Sequence, residues 1–289
     1  MEFMKKTEDT VLTLKEKEGV PFLSFPILEK TGLVSQAFST RLGGVSKGDF
    51  ASMNFSFTRG DNREDVLENY RRMAAALGVD MNRMVLTWQT HTTNVRRVTA
   101  EDEGKGVVRD RDYRDVDGLI TDIPGITLVT FFADCVPLYF LDPVHRAIGL
   151  SHSGWRGTVK RMGQVTVDAM KEAFGSRPED IIACVGPSIC KDCYEVGAEV
   201  AEEFCGAFDE ACHNAILLKK PDGKYQLDLW KANEIVLTEA GIRKENLAVT
   251  NICTYCNPDL LFSHRRSAER RGNLCAFLSL KEKQIQNYK

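Results

Sequence analysis

The chain has 289 residues, 43% of them hydrophobic and 27% charged, with a formal net charge of −3. That supplies apolar material for a substantial core, and a near-neutral balance without long basic tracts excludes a general nucleic-acid binder. No run approaches ~18 consecutive apolar residues, so no membrane-spanning helix is predicted.

The chain starts Met1-Glu-Phe-Met-Lys-Lys-Thr-Glu-Asp9. Acids follow the lysines at once and no apolar run follows, which is neither a signal nor a transit peptide. The expected compartment is the cytoplasm. Nine cysteines in such a chain predict free thiols or metal ligands rather than a disulfide framework.

Residues 1–20 are rich in charge and are predicted to form a flexible N-terminal extension. No Pro/Gly/Ser linker interrupts the remainder, so residues 21–289 are expected to make a single domain. Strands are predicted over Leu33–Ser39 and Met53–Thr58. The first clear helix is predicted over Arg63–Leu77: Asp61 and Asn62 can cap it, apolar residues recur with helical period, and Gly78 stops it. Short apolar runs then predict strands at Met84–Trp88, Gly118–Thr121, Ile126–Phe132, Val136–Leu141 and Ala147–Ser151. Their spacers are too short for regular βαβ alternation, which favours antiparallel or mixed pairing. A helix is expected over Thr158–Phe174, a strand over Ile181–Val185, helices over Gly197–Phe208 and Asp228–Ala240, and strands over Leu247–Ile252 and Leu274–Leu280. The fold class is α+β: a layered domain of mixed and antiparallel sheets flanked by helices.

Three polar segments stand where strands are expected to end: Gln89-Thr-His91, Ala133-Asp-Cys135 and Ser151-His-Ser-Gly-Trp155. Adjacent hairpin strands can bring Cys135 and His152 together, and His91 can join from a neighbouring strand. Two imidazoles and a thiolate suit Zn²⁺, and three protein ligands leave a fourth position for water or substrate. Asp134, Gln89 or Ser153 can orient these ligands. By spacing alone the trio is as readily read as packing and surface residues. Two further pairs, Cys190-Lys-Asp-Cys193 and Cys253-Thr-Tyr-Cys256, have C-x-x-C spacing and offer a Cys₄ zinc site or a redox dithiol. Their separation is long for a zinc ribbon.

The motifs together resemble a known family. The blocks Phe38-Ser-Thr-Arg-Leu-Gly-Gly44, Asn54-Phe-Ser-Phe-Thr-Arg-Gly-Asp61, Gln89-Thr-His91, Asp117-Gly-Leu-Ile-Thr121, Ala133-Asp-Cys-Val-Pro137, Ile148-Gly-Leu-Ser-His-Ser-Gly-Trp-Arg-Gly157, Gly186-Pro-Ser-Ile-Cys190, Cys193-Tyr-Glu-Val196, Asp228-Leu-Trp-Lys-Ala-Asn233 and Phe262-Ser-His-Arg-Arg266 run in order along the chain. They resemble the YfiH-like purine nucleoside phosphorylases, long labelled multicopper polyphenol oxidases or laccase-domain proteins. The resemblance implies a metal, zinc or alternatively copper, on His91, Cys135 and His152. It also implies phosphorolysis of adenosine, inosine, guanosine and methylthioadenosine, with adenosine deamination as a second activity. The implied fold is the YfiH-like putative cysteine hydrolase fold, shared with certain cysteine-hydrolase toxins. The C-x-x-C pairs partly coincide with family blocks.

Departures from the family pattern fall at Thr92, at Thr58-Arg59-Gly60-Asp61 and at His264, all on the substrate side. Phosphate needs cationic or N–H donors, and Arg41, Arg59, Arg156, Arg265 and Arg266 are the candidates. Arg156 is favoured by its closeness to His152 and to a helix start. Asn54 and His264 are candidates for ribose or phosphate. The expected partners are purine nucleosides and inorganic phosphate, with no nucleic acid and no membrane, and the expected state is a monomer or weak homodimer.

Two other enzyme classes are open. A metal-free cysteine hydrolase of peptidoglycan-editing type would use Cys135 as nucleophile and His152 as base. A copper-dependent polyphenol oxidase of the four-copper kind is opposed by only five histidines and no H-x-H pair.

Overall fold

The computed structural model describes residues 2–282. The strands in chain order are β1 (Thr13–Lys17), β2 (Val20–Ser24), β3 (Val34–Ser39), β4 (Met84–Leu86), β5 (Val95–Arg97), β6 (Gly118–Thr121), β7 (Thr127–Phe132), β8 (Val136–Asp142), β9 (Ala147–Ser153), β10 (Ile182–Val185), β11 (Glu195–Val196), β12 (Leu217–Lys219), β13 (Tyr225–Leu227), β14 (Leu247–Val249) and β15 (Leu274–Leu280). The helices are α1 (Pro26–Glu29), α2 (Arg63–Leu77), α3 (Trp155–Val159), α4 (Met162–Phe174), α5 (Ala198–Ala207), α6 (Glu210–Ile216), α7 (Leu229–Glu239) and α8 (His264–Ser267). Among the described residues no helix is long and apolar enough to cross a membrane.

Two six-stranded sheets form the centre, ordered β1-β2-β3-β15-β7-β4 and β14-β10-β8-β9-β6-β5. Pairing is antiparallel except where β4 joins β7, β14 joins β10 and β5 joins β6 in parallel. A small sheet, β11-β13-β12, lies apart.

Alternation along the strands builds four layers. On β8, Tyr139 and Leu141 face the first sheet, packing with Leu128 of β7 and Leu278 of β15. Their neighbours Leu138 and Phe140 face outward under α4 and α7, against Val167, Met170, Val236 and Leu237. On the first sheet Val129 and Phe277 turn outward to Val66, Tyr70 and Met73 of α2. The order is therefore helix, sheet, sheet, helices, which is the expected α+β class.

Helix α2 has the predicted bounds because its signals are local. The Asn62 side chain accepts the N–H groups of Glu64 and Asp65, and Gly78 closes the helix at φ +66°. Such a cap stabilises by about 1 kcal/mol. The other central helix departs from expectation. Arg161 sits at φ +60° and divides the predicted Thr158–Phe174 helix into α3 and α4.

The segment Met53–Thr58 is not a strand. Asn54 is fully buried and its side chain takes over the backbone bonding, accepting the N–H groups of Ser56 and Asn273 and donating to the carbonyl of Ser56. Residues 2–20 are packed rather than detached. Phe3 and Leu12 join the inter-sheet core, and the Lys6 amide donates to the carbonyl of Asn251. β1 forms an edge hairpin with β2 through Glu18 and Gly19, both at positive φ, as a two-residue turn requires. Its solvent-facing charges mark an edge strand rather than a free tail.

Candidate metal centre and substrate cavity

The β8–β9 register places the first two functional side chains. Pro137 pairs with His152 and Val136 with Ser153. Cys135 and His152 therefore fall diagonally on one face, the face that carries Tyr139 and Leu150 into the inter-sheet core. At this end of the sandwich the core opens. His91 arrives on the chain that crosses from β4 in the first sheet to β5 in the second. The ligand atoms of His91, Cys135 and His152 lie within 4.8 Å of one another. The two imidazoles meet edge to face, with centroids 5.0 Å apart.

Both turns that deliver these groups are strained and braced. His91 has φ +64° and Asp134, beside Cys135, has φ +84°. Such non-glycine conformations persist only where surrounding bonds hold them. Asp117, fully buried just before β6, accepts the amides of Thr90, His91 and Thr92 at 3.0–3.1 Å. The Asp134 carboxylate accepts Thr254 Oγ1 at 2.6 Å, Ser263 Oγ at 3.0 Å and the Arg265 amide at 2.6 Å.

Asp117 also accepts from His152 Nδ1 at 2.8 Å, which leaves Nε2 as the donor facing the trio. The residues predicted to orient the trio act elsewhere. Gln89 ties its loop to Phe131, Ser153 bonds Asn233, and Asp134 holds the turn. Asp117 went unassigned because its block carries no metal-ligand pattern, although a buried carboxylate one strand from a histidine is the signal for such a role.

Charges at the trio are coupled. Burial pushes the Cys135 thiol up, but His152 and then His91 outweigh it and hold it at about 6. Burial pulls His152 down, while the Cys135 thiolate and Asp117 lift it to about 9. Burial raises Asp117, yet His152 and the loop amides keep its carboxyl below the usual range. The metal-free centre is thus a thiolate–imidazolium pair.

The donor set fits a metal. One thiolate and two imidazoles match zinc, and the space between them is kept clear. A Cβ added at Gly154 would stand 3.0 Å from Cys135 Sγ and 3.2 Å from His91 Cδ2.

A cavity of about 580 Å³ adjoins the trio, with room for a nucleoside-sized ligand. Trp88, Phe131 and Phe132 give it aromatic surface, and Arg59, Arg111, His264 and Arg271 give it polar and cationic groups. Of the predicted substrate residues, Arg59 and His264 line it. Arg41 does not: it braces the carbonyls of Ala51 and Pro258 and stacks 4.5 Å over Phe262. Asn54 lies beneath the cavity, holding Asn273. Arg156 is exposed and stacks on Trp155, and Arg265 donates to the carbonyl of Glu195 and stacks on Tyr194. Arg266 lies over Tyr255.

Arg111 and Arg271 were missed. Arg271 is 6% exposed, its Nε has no partner, and burial followed by the nearby Arg59 charge lowers its pKa to about 10. It immediately precedes the Gly272-Asn273 lead into β15, and loops ending on rigid strands are where such groups gather.

Residues 35–281 match the family model described as multi-copper polyphenol oxidoreductase laccase. The chain belongs to this family. Among its relatives, the purine nucleoside phosphorylase YlmD of Bacillus subtilis is 37% identical over 86% of this chain and 89% of its own. The adenosine deaminase RL5 of an unknown prokaryotic organism is 35% identical over 82% of this chain and 90% of its own. The crystal structure of the Bacillus licheniformis hypothetical protein YfiH superposes with a TM-score of 0.87 at 33% identity, covering 93% of this chain and 99% of that one. This laccase-domain chain is an enzyme, and both the family and the His91/Cys135/His152 cluster point to a metal.

Proposed function

We propose that the chain is a zinc-dependent purine nucleoside phosphorylase with adenosine deamination as a second activity, acting in the cytoplasm. The substrates are adenosine, inosine, guanosine or methylthioadenosine with inorganic phosphate. The observation that carries this reading is the trio opening directly onto a cavity with aromatic surface, the buried Arg271 and the half-buried Arg59 and Arg111. Relatives named for both activities support it.

His91, Cys135 and His152 would hold the ion, which supplies Lewis-acid chemistry at the cavity wall. Asp117 fixes the His152 tautomer and the His91 loop. Phe131 and Phe132 offer apolar faces to a purine. Arg59 and Arg271 repel one another and have donors to spare, so an anion between them relieves both charges. His264, whose Nδ1 lies 3.4 Å from Arg271 Nη2, extends that polar wall. Asn54 serves indirectly, by positioning Asn273.

The test is incubation of the zinc-loaded protein with adenosine, with and without phosphate, and separation of adenine from inosine. Adenine is expected only with phosphate, inosine in both. Cys135→Ala is expected to abolish both products; retention of either by that variant removes the shared metal from the account.

A second reading has its own observation. Cys135 as thiolate, His152 as the imidazole that has taken its proton, and the Asp117 carboxylate that orients His152 supply the three groups that a cysteine hydrolase requires. Metal content separates the two readings, since a stoichiometric ion on the trio occupies the nucleophile. The ion can also be Cu²⁺, which ranks above Zn²⁺ in affinity, and any phenol oxidation would then proceed at one copper.

A further inference from the structure

Cys190, Cys193, Cys253 and Cys256 converge although 63 residues separate the two pairs. Their four sulfurs lie within 4.8 Å of one another. Cys193 Sγ and Cys256 Sγ are 3.5 Å apart, far beyond the ~2.05 Å of a disulfide, and all four cysteines are free thiols. We propose that these four cysteines hold a structural zinc ion in a closed tetrathiolate site, separate from the trio at the cavity.

Each pair has C-x-x-C spacing, the form in which zinc ribbons present their ligands. One member of each pair, Cys190 and Cys253, is buried, and the other is half-buried, so the sulfurs point inward from two facing turns. The surroundings suit an anionic sulfur cage. The Cys190 amide donates to Cys253 Sγ at 3.3 Å. Lys6 Nζ, paired with Asp192 at 2.9 Å, sits close enough to feel the charge of Cys190 and Cys256. Four thiolates on a divalent ion carry net negative charge, which amide donors and an ammonium offset. No fourth position remains for substrate, and no residue of this cluster lines the large cavity.

The site would join three segments. Ser188, two residues before Cys190, bridges Cys253 in parallel, and the Thr254 amide donates to the Ser188 carbonyl at 3.1 Å. Lys5 bridges Ile252, and Asn257 bonds the Met4 backbone in both directions. From this knot the Ile189 amide reaches the Asp134 carbonyl and Thr254 Oγ1 reaches its carboxylate. The zinc staple therefore stiffens the frame around the strained turn that presents Cys135.

The test is metal analysis of the full chain purified under reducing conditions, saturated with zinc and freed of excess. The wild type is expected to retain about two zinc ions per chain, Cys135→Ala about one, and Cys193→Ser/Cys256→Ser about one. Cobalt-loaded Cys135→Ala is expected to give intense thiolate-to-cobalt and tetrahedral bands. That readout decides the matter even if the double serine variant does not fold. The proposal is overturned if folded Cys135→Ala retains no metal and gives no such bands, or if the unreduced protein has the mass of two disulfides. Failure of the trio alone looks different: wild type and Cys135→Ala would then each retain one ion.

Discussion

The two thiol clusters of this chain use the same side chain for opposite ends. At the cavity, one sulfur joins two imidazoles, one of them exposed, and the donor set stops at three. At the other cluster, four sulfurs close on one another behind the N-terminal segment. The contrast lies in what surrounds the cysteine. Cys135 stands at the open end of an inter-sheet core, with charged partners that hold it as thiolate and a cavity in front. The four remote cysteines stand in turns whose main task is to tie chain segments together. An incomplete donor set facing a cavity is chemistry, and a complete one facing its own backbone is architecture.

The largest expected effect tests the open side of this contrast. Cys135→Ala should lower both nucleoside activities by at least about 10³-fold while leaving the fold intact, since removal of a half-buried thiol creates little cavity. Product assays with circular dichroism check it. A variant that loses fold and activity together would make Cys135 architectural too.

Asp117→Asn should follow, with metal affinity falling about 10–100-fold. The asparagine keeps the shape but offers His152 an amide in place of a carboxylate, and it loosens the grip on Thr90, His91 and Thr92. Chelator competition measures this. Wild-type affinity in the variant would mean that His152 needs no orienting acid. Next, Arg271→Gln should raise the KM for phosphate about tenfold or more with a smaller change for adenosine, because a charge-assisted contact is worth about 1.5–3 kcal/mol. A KM rise confined to the nucleoside would place the anion elsewhere in the cavity.

How far this was legible depends on whether the signal is local. Asn62 and Gly78 announce α2 without any tertiary information, and β15 follows from an apolar run alone. The convergence of His91, Cys135 and His152 was legible because strand ends carry all three, and the β8–β9 hairpin needs only a four-residue turn. The cavity wall was not. Arg271 and Arg111 lie in irregular segments with no periodicity, and Arg156 looked better because it neighbours His152 in sequence. In the structure sequence proximity misleads: Arg156 points out over Trp155, while Arg271, far along the chain, comes back beside the trio. The C-x-x-C pairs offer a Cys₄ site that their long separation counts against, yet separation along a chain places no limit on two turns that follow the paired parallel strands β10 and β14.

The smallest effect needs no substitution and reads the electrostatics directly. In the metal-free protein the Cys135 thiol titrates at about 6 and His152 at about 9, so from about pH 6 to 9 the pair is thiolate and imidazolium. A metal takes the thiolate as it stands but requires neutral imidazole, so binding must expel the His152 proton. Affinity of the trio should therefore rise about tenfold per pH unit across this window from His152 alone. The gain should level off above about 9, where that proton is already gone, and the slope should steepen below about 6, where Cys135 must also deprotonate. Cys193→Ser/Cys256→Ser protein confines the measurement to the trio. Calorimetry in buffers of different ionisation enthalpy counts the proton. Asp117→Asn should move the plateau to lower pH, because the carboxylate that helps hold the imidazolium is gone. An affinity independent of pH between about 6.5 and 8.5 would mean that His152 is not a ligand, and the thiolate–imidazolium pair would then stand as the working form of the centre.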